Sequence, residues 1–248
     1  GINLLEGDTW EEKELVALEA MNIMIKLFNE EVFGPRIQDY FRNGCLTLMS
    51  DPNGAALTDI VRLFTDEEFQ KTKTKHVTNP IVRSFWEHQM AQTGQREKQE
   101  MIPYFAAKFG QFISNTMMRN IIGQTKSAFN FFDVMQEGKI LLMNLSKGSV
   151  GEINSKLLGL IIVQKIQMAA MKRQDVAKDQ RRDFFLYIDE FQNYVTESIE
   201  SILSEARKYR LGLVIAHQYL AQLEDDKGGM KQGQSKVKDA VFGNIGTM

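Results

Sequence analysis

The sequence predicts an α/β fold in two parts: an all-helical region up to about residue 135, then a mostly parallel sheet with covering helices. Three observations carry this. Before residue 136 the apolar residues recur almost only at helical spacing. After it, short continuous apolar runs alternate with helical segments. Four prolines in 248 residues, beside 13 Met and 16 Phe, suit a helix-rich chain with few irregular loops. Continuous apolar strands separated by helices imply a parallel sheet covered on both faces, and such sheets bind ligands at the carboxyl ends of their strands.

The elements follow in order. Thr9 is a candidate N-cap for a helix reaching Asn29, with Leu15, Leu18, Met21, Met24, Ile25 and Phe28 as its apolar stripe. Gly34-Pro35 breaks the pattern before a helix carrying Ile37, Tyr40 and Phe41. Asp51-Pro52-Asn53-Gly54 is a turn by composition. Short helices are expected at Leu57 to Phe64 and Thr65 to Lys71. Asn79-Pro80 opens another, with Ile81, Phe85 and Trp86 on its buried side. Thr93 to Gln99 reads as a polar loop, and Glu100 to Phe112 as a helix. Beyond the divide, Lys139 to Leu145 (KILLMNL) reads as a buried strand and Gly151 to Arg173 as a long helix. Phe184 to Ile188 (FFLYI) is a second strand, Thr196 to Tyr209 a helix, and Leu211 to Ala216 (LGLVIA) a third strand.

Composition removes several functions. A net charge of −2 gives no global reason to expect nucleic-acid binding, so any such contact must come from a local patch. One cysteine, Cys45, excludes an internal disulfide, and three histidines make a histidine-based metal site a poor fit. Leu157 to Met171, the most apolar stretch, is too short to span a membrane and contains Gln164, Lys165 and Gln167. The chain opens on Gly1, and Met248 falls within an apolar strand signal that begins at Val241. Both features read as a piece of a longer protein, expected in the cytoplasm.

Phe184 to Ile188 ends abruptly in Asp189 and Glu190. Burying two unpaired carboxylates would cost several kcal/mol, so this strand end must face water, a cation or a ligand. In P-loop NTPases an Asp here holds Mg²⁺ and an adjacent Glu orients the attacking water. The plainer reading is a core strand emerging into solvent. The next predicted strand ends in His217 and Gln218, an amide able to reach a γ-phosphate or the lytic water. His217 itself reads as a packed neighbour rather than a base. Between the two strands, Arg207, Lys208 and Arg210 near a helix end read first as complements to the helix dipole.

No G-x-x-x-x-G-K-[ST] phosphate loop occurs. Ser146 to Gly151 (SKGSVG) sits at a strand-to-helix junction, as an anion cradle or an ordinary turn. Lys71 to His76, Lys172 to Arg182 and Lys227 to Lys238 are basic runs, each ordinarily a solvated face. In the last, Lys227, Lys231, Lys236 and Lys238 lie on a Gly-rich stretch suited to a phosphate backbone.

The run FFLYIDEFQNYVTESIESILSEARKYRLGLVIAHQYLAQL resembles the HerA–FtsK superfamily of DNA-pumping ATPases. Within it the chain is most similar to the coupling proteins of type IV secretion and conjugation. KILLMNLSKGSVGEINSKLLGLIIVQKIQMAAMKR and the closing VFGNIGT fit the same family, so the likeness covers about residues 138 to 248. It implies a partial RecA-like P-loop NTPase core, over residues 136–248, carrying an all-α inserted domain at 9–135. Residues 1–8 would be the return from the core, and the Walker A loop would lie upstream of residue 1. Asp189 and Glu190 would be the Walker B pair, Asp189 holding Mg²⁺ through water. Gln218 would sense the γ-phosphate of ATP. Arg207, with Arg210 as second choice, would act across a subunit interface of a hexamer.

The function expected is therefore a share in an ATP-driven DNA translocase of a conjugation or type IV secretion system. It would work at the inner face of the membrane, with single- or double-stranded DNA, a relaxase and channel components as partners. The isolated chain, lacking the phosphate cradle, should bind ATP weakly. A secretion ATPase for protein export or pilus assembly is one alternative; a non-catalytic module that has lost its P-loop is another.

Overall fold

Thr9 starts the first helix with its own hydroxyl, which accepts a hydrogen bond from the Glu12 amide at 3.2 Å. The computed structural model describes residues 1–194, 205–216 and 243. It divides into two compact units, Gly1–Ala128 and Phe129–Met248.

In the first unit, α1 (Trp10–Phe28) buries Val16, Ala17, Ala20, Ile23 and Met24. Gly34-Pro35 opens α2 (Pro35–Met49), and α3 (Ile60–Thr65) and α4 (Glu67–Thr74) follow. Asn79 caps α5 (Pro80–Ser84), which passes into a π-helical turn, Phe85–Met90. Ile81 is 76% exposed, against its expected place on the buried side, which Val82 and Phe85 form instead, at 1% and 3%. The expected loop at Thr93 to Gln99 is instead largely the first turns of α6 (Gln95–Ser114), because Gln, Arg, Glu and Lys are good helix formers even without an apolar stripe. α7 (Thr116–Ile122), capped by the Asn115 side chain, completes the unit.

Phenylalanine supplies the core. Ring contacts run from Phe28 to Phe33, Phe41, Phe109, Phe105, Phe64 and Tyr40, and on to Phe85, with centroids 5.0 to 6.3 Å apart. Phe105, Phe109 and Phe112 recur on one face of α6 and are all buried. Cys45 is buried as well, and burial pushes its thiol far up, away from reactivity.

The two ends of this unit are tied together. The Ala128 amide donates to the Gly1 carbonyl at 3.0 Å and the Ile2 amide to the Ile121 carbonyl at 2.7 Å. Asn3 is fully buried, and its amide nitrogen donates to the carbonyls of Leu5, Ala55 and Thr125. Glu6 accepts from both the amide and the hydroxyl of Ser127, each at 2.6 Å.

In the second unit, α8 (Phe131–Gln136) starts at the Asn130 cap and a short α9 (Lys147–Val150) precedes α10 (Glu152–Lys172). α10 is buried on nearly every side, from Leu157 through Ala170, as its unbroken apolar run requires. β1 (Phe184–Ile188) and β2 (Leu211–Ile215) pair in parallel, Phe184 opposite Leu211 and Ile188 opposite Ile215. The expected strand at 139–145 forms no ladder, and Ile140 and Leu142 are 88% and 87% exposed. A continuous apolar run makes a strand only where a neighbouring strand takes its backbone groups, and β1 pairs with β2 alone among the described residues. The expected helix at Thr196 to Tyr209 lies mostly outside the described residues; its end, Ala206–Tyr209, is a 3-10 turn. No helix among the described residues is long and apolar enough to cross a membrane.

Lys73 shows where one basic run goes. Its ammonium meets the Asp51 carboxylate at 2.6 Å, both side chains nearly buried. Burial pushes the Asp51 carboxyl up, but the Lys73 hydrogen bond, the Asn53 amide and the Lys73 and His76 charges together hold it below its usual value. A carboxyl depressed on folding contributes stability above its unfolded pKa, lost as pH falls through the folded one. Urea midpoints of the first unit are therefore expected to drop below about pH 4. Lys73→Met leaves a buried unpaired carboxylate and should cost about 3 to 5 kcal/mol at neutral pH. That cost should shrink in acid, as Asp51 takes up a proton.

Candidate functional site

β1 delivers its two acids to one end of the sheet. The Ala216 amide donates to the Ile188 carbonyl and the Phe191 amide to the Ala216 carbonyl, both at 2.9 Å, so the chain after β1 is fastened to the end of β2. Phe191 is fully buried. Between Ile188 and Phe191 the backbone must turn sharply, and Glu190 takes up the turn at φ 52°, ψ 45°. A left-handed conformation costs a non-glycine residue roughly 1 to 2 kcal/mol, and such strain collects at functional sites. The Asp189 carboxylate accepts from the Glu190 amide at 3.0 Å, and the Asn193 amide closes a 3-10 turn, Phe191–Asn193, on the Glu190 carbonyl. Asp189 is exposed and Glu190 half-buried.

Two residues that the sequence reading passed over hold this turn. Gln192 donates its amide to Glu190 Oε2 at 2.6 Å. Tyr194 lays its ring against Gly159 of α10, where any Cβ would collide with it, and its hydroxyl lies 3.5 Å from Ser155 Oγ. The only signal available was the polar and aromatic FQNY directly after the acids.

Arg207 lies elsewhere. It sits in the 3-10 turn before β2, opposite the start of β1, so the length of a five-residue strand, about 16 Å, separates it from Asp189 and Glu190. The structure does not bring Arg207 together with the two acids of its own chain. Among the described residues its side chain is exposed and has no ion-pair partner, whereas Arg210 pairs with Asp183 at 3.5 Å. Glu205 is engaged by Lys208 and by the Tyr209 hydroxyl, which together hold its carboxyl below the usual range.

This turn is gripped from below by two buried arginines. Arg173 donates to the carbonyls of Tyr209 at 2.8 Å and Met135 at 3.1 Å; Arg181 donates to those of Lys208 at 2.6 Å, Val176 and Gln174. Neither pairs with a carboxylate among the described residues. Burial, then the Arg181 charge, pushes the Arg173 guanidinium down, with Asp183 opposing. The basic run Lys172 to Arg182 thus spends two of its cations on backbone carbonyls.

At the start of α10, Lys147 pairs with Glu152 at 3.2 Å, and Ser149 donates to the Ser146 carbonyl, so the SKGSVG turn satisfies much of itself. Gln218, His217, Lys227, Lys231, Lys236 and Lys238 lie outside the described residues. Among the described residues no three His, Cys, Asp or Glu side chains gather as a metal cage.

A family model described as type IV secretory system conjugative DNA transfer matches residues 45–242. The chain belongs to this family. The conjugative DNA-transfer match covers about four-fifths of the sequence and includes Asp189, Glu190, Arg207, Gln218 and the four lysines. No curated protein matches the chain. Within the conjugative DNA-transfer family, DNA and secretion-system components are the expected partners.

The two kinds of arginine are separable by urea unfolding. Arg173→Met orphans the Met135 and Tyr209 carbonyls and should cost about 2 to 3 kcal/mol. Arg207→Ala, whose side chain is exposed and makes no ion pair among the described residues, should change stability by less than about 0.5 kcal/mol.

Proposed function

We propose that this chain is part of a hexameric ATP-driven DNA translocase, contributing the residues that handle water, metal and γ-phosphate. The observation that carries the reading is the turn at the carboxyl end of β1, where Asp189 is exposed and Glu190 half-buried on a backbone tied to the end of β2. In a RecA-like core, β1 would be the Walker B strand and β2 its neighbour, with Gln218 two residues beyond Ala216.

Asp189 offers one exposed carboxylate without a cage of others. That suits Mg²⁺, which keeps most of its waters and takes one or two carboxylates plus phosphate oxygens. When bound with ATP, the ion supplies charge neutralisation on the phosphates. Asp189 would hold it through water. Glu190 would orient the attacking water and accept its proton. Gln218 would report the γ-phosphate.

Arg207 is read as acting in trans. Its place at the far end of the strands rules against service to its own chain's acids, and its free, exposed side chain suits a neighbour's phosphate. The helical unit is read as an insertion into the core. In support, Gly1 and Ala128 are hydrogen-bonded neighbours, as the ends of an inserted domain must be. DNA is the favoured cargo because of the family; Lys227, Lys231, Lys236 and Lys238 would touch its phosphates. The site of work is the cytoplasmic face of the membrane, with relaxase and channel proteins as partners.

In the full-length protein, Glu190→Gln should lower ATP turnover about 10²- to 10⁴-fold and leave nucleotide affinity unchanged. Retained turnover would sink the assignment. Glu190→Gln and Arg207→Ala subunits, each inactive alone, should recover part of the activity when mixed, since mixed interfaces pair an intact Glu190 with an intact Arg207. DNA affinity should fall with salt, less steeply once the four lysines are neutralised. Affinity that ignores both would favour protein export or pilus assembly.

A further inference from the structure

We propose that Gln192 is a positioning residue for the Glu190 carboxylate; the inference rests on the reading of Glu190 as the group that orients the attacking water. A glutamate carries three rotatable bonds, so its carboxylate samples many positions unless a partner holds it. A base that wanders by 1 Å loses about a hundredfold in rate, so its carboxylate needs a fixed partner. Gln192 Nε2 lies 2.6 Å from Glu190 Oε2. A carboxylate only accepts, so the amide nitrogen, not its oxygen, must face it.

The donor is itself immobilised. Gln192 sits in the middle of the Phe191–Asn193 turn, directly after the fully buried Phe191 whose amide is bound to Ala216. On its other side the Tyr194 amide donates to the Phe191 carbonyl at 3.0 Å, and the Tyr194 ring is seated on Gly159. The same hydrogen-bonded frame therefore sets the left-handed backbone of Glu190 and aims the amide at its carboxylate.

Gln192 Oε1 is buried and has no hydrogen-bond partner among the described residues. A side chain chosen for stability alone would not leave a buried acceptor unpaired. Met, of similar length and with no amide, would remove that unpaired oxygen. The amide is retained for the bond its nitrogen makes, a charge-assisted one.

The test is steady-state ATP hydrolysis by the full-length protein with Gln192→Met and Gln192→Glu, beside Glu190→Gln as control, with urea stability measured on each. Gln192→Met should lower kcat about 10- to 100-fold, with KM for ATP unchanged and stability equal to or above that of the parent. Gln192→Glu should lower kcat further, because a like charge drives the Glu190 carboxylate away. Wild-type kcat in Gln192→Met overturns the proposal, as does a loss of kcat that comes with a matching loss of stability. If Glu190→Gln itself keeps its turnover, the failure lies in the catalytic reading underneath.

Discussion

One short contact governs the carboxyl end of the sheet: the Phe191 amide on the Ala216 carbonyl, with the Phe191 ring sunk in the core. Burying a phenylalanine is worth roughly 1.5 to 3 kcal/mol, enough to offset the strain of one left-handed residue. Given that anchor, the two residues between Ile188 and Phe191 have no room to continue as strand. They are thrown outward as a tight turn, and both are acids. The same event explains why Asp189 is exposed while Glu190 is half-covered, and why Gln192 comes back to within 2.6 Å of Glu190.

The opposite end of the strands is built on a different principle. Arg173 and Arg181 approach the end of a 3-10 turn, where carbonyl groups run out of partners, and fill them with charged donors. Arg210, left-handed at φ 54°, ends that turn and leads into β2. The consequence is a rigid platform from which Arg207 projects without a partner among the described residues. A parallel pair of strands in register makes its two ends chemically distinct, acids at one and the exposed Arg207 guanidinium at the other.

Legibility in the sequence followed the kind of force involved. β1, β2 and α10 were readable because continuous apolar runs of the right length have few other fates, and α1 because Thr9 caps it, although of the expected stripe only Met24 is buried and Leu18 is 44% exposed. The acids were readable because an apolar strand end cannot bury them, but the expected cover on both faces of the sheet is not met: Phe185 and Tyr187 are 60% and 72% exposed. The 139–145 run misled for the same reason the others succeeded: apolarity predicts burial but names no partner. The short α7 and α8 went unread although Asn115 and Asn130 cap them. The buried cations Lys73, Arg173 and Arg181 were illegible, since a basic run does not reveal which member turns inward. Only the tertiary placement of Asp51, or of the Lys208 and Tyr209 carbonyls, decides that. Gln192 belongs with these, its role being set by a backbone turn that no periodicity records.

The first unit carries its own argument about independence. Its aromatic chain runs from Phe28 to Phe85, and its entry and exit meet at Gly1 and Ala128. Asn3 makes the join specific: its side chain bonds the backbone at Leu5, Ala55 and Thr125, uniting three segments far apart in sequence. A unit whose two ends are already adjacent needs only a short loop closure wherever it is carried in a longer chain. Under the insertion reading, the hydrogen bonds of residues 1 to 6 with residues 121 to 128 do for the helical unit what Phe191 does for the acid turn. Each fixes where the chain leaves a folded element, and so fixes what the next residues can reach.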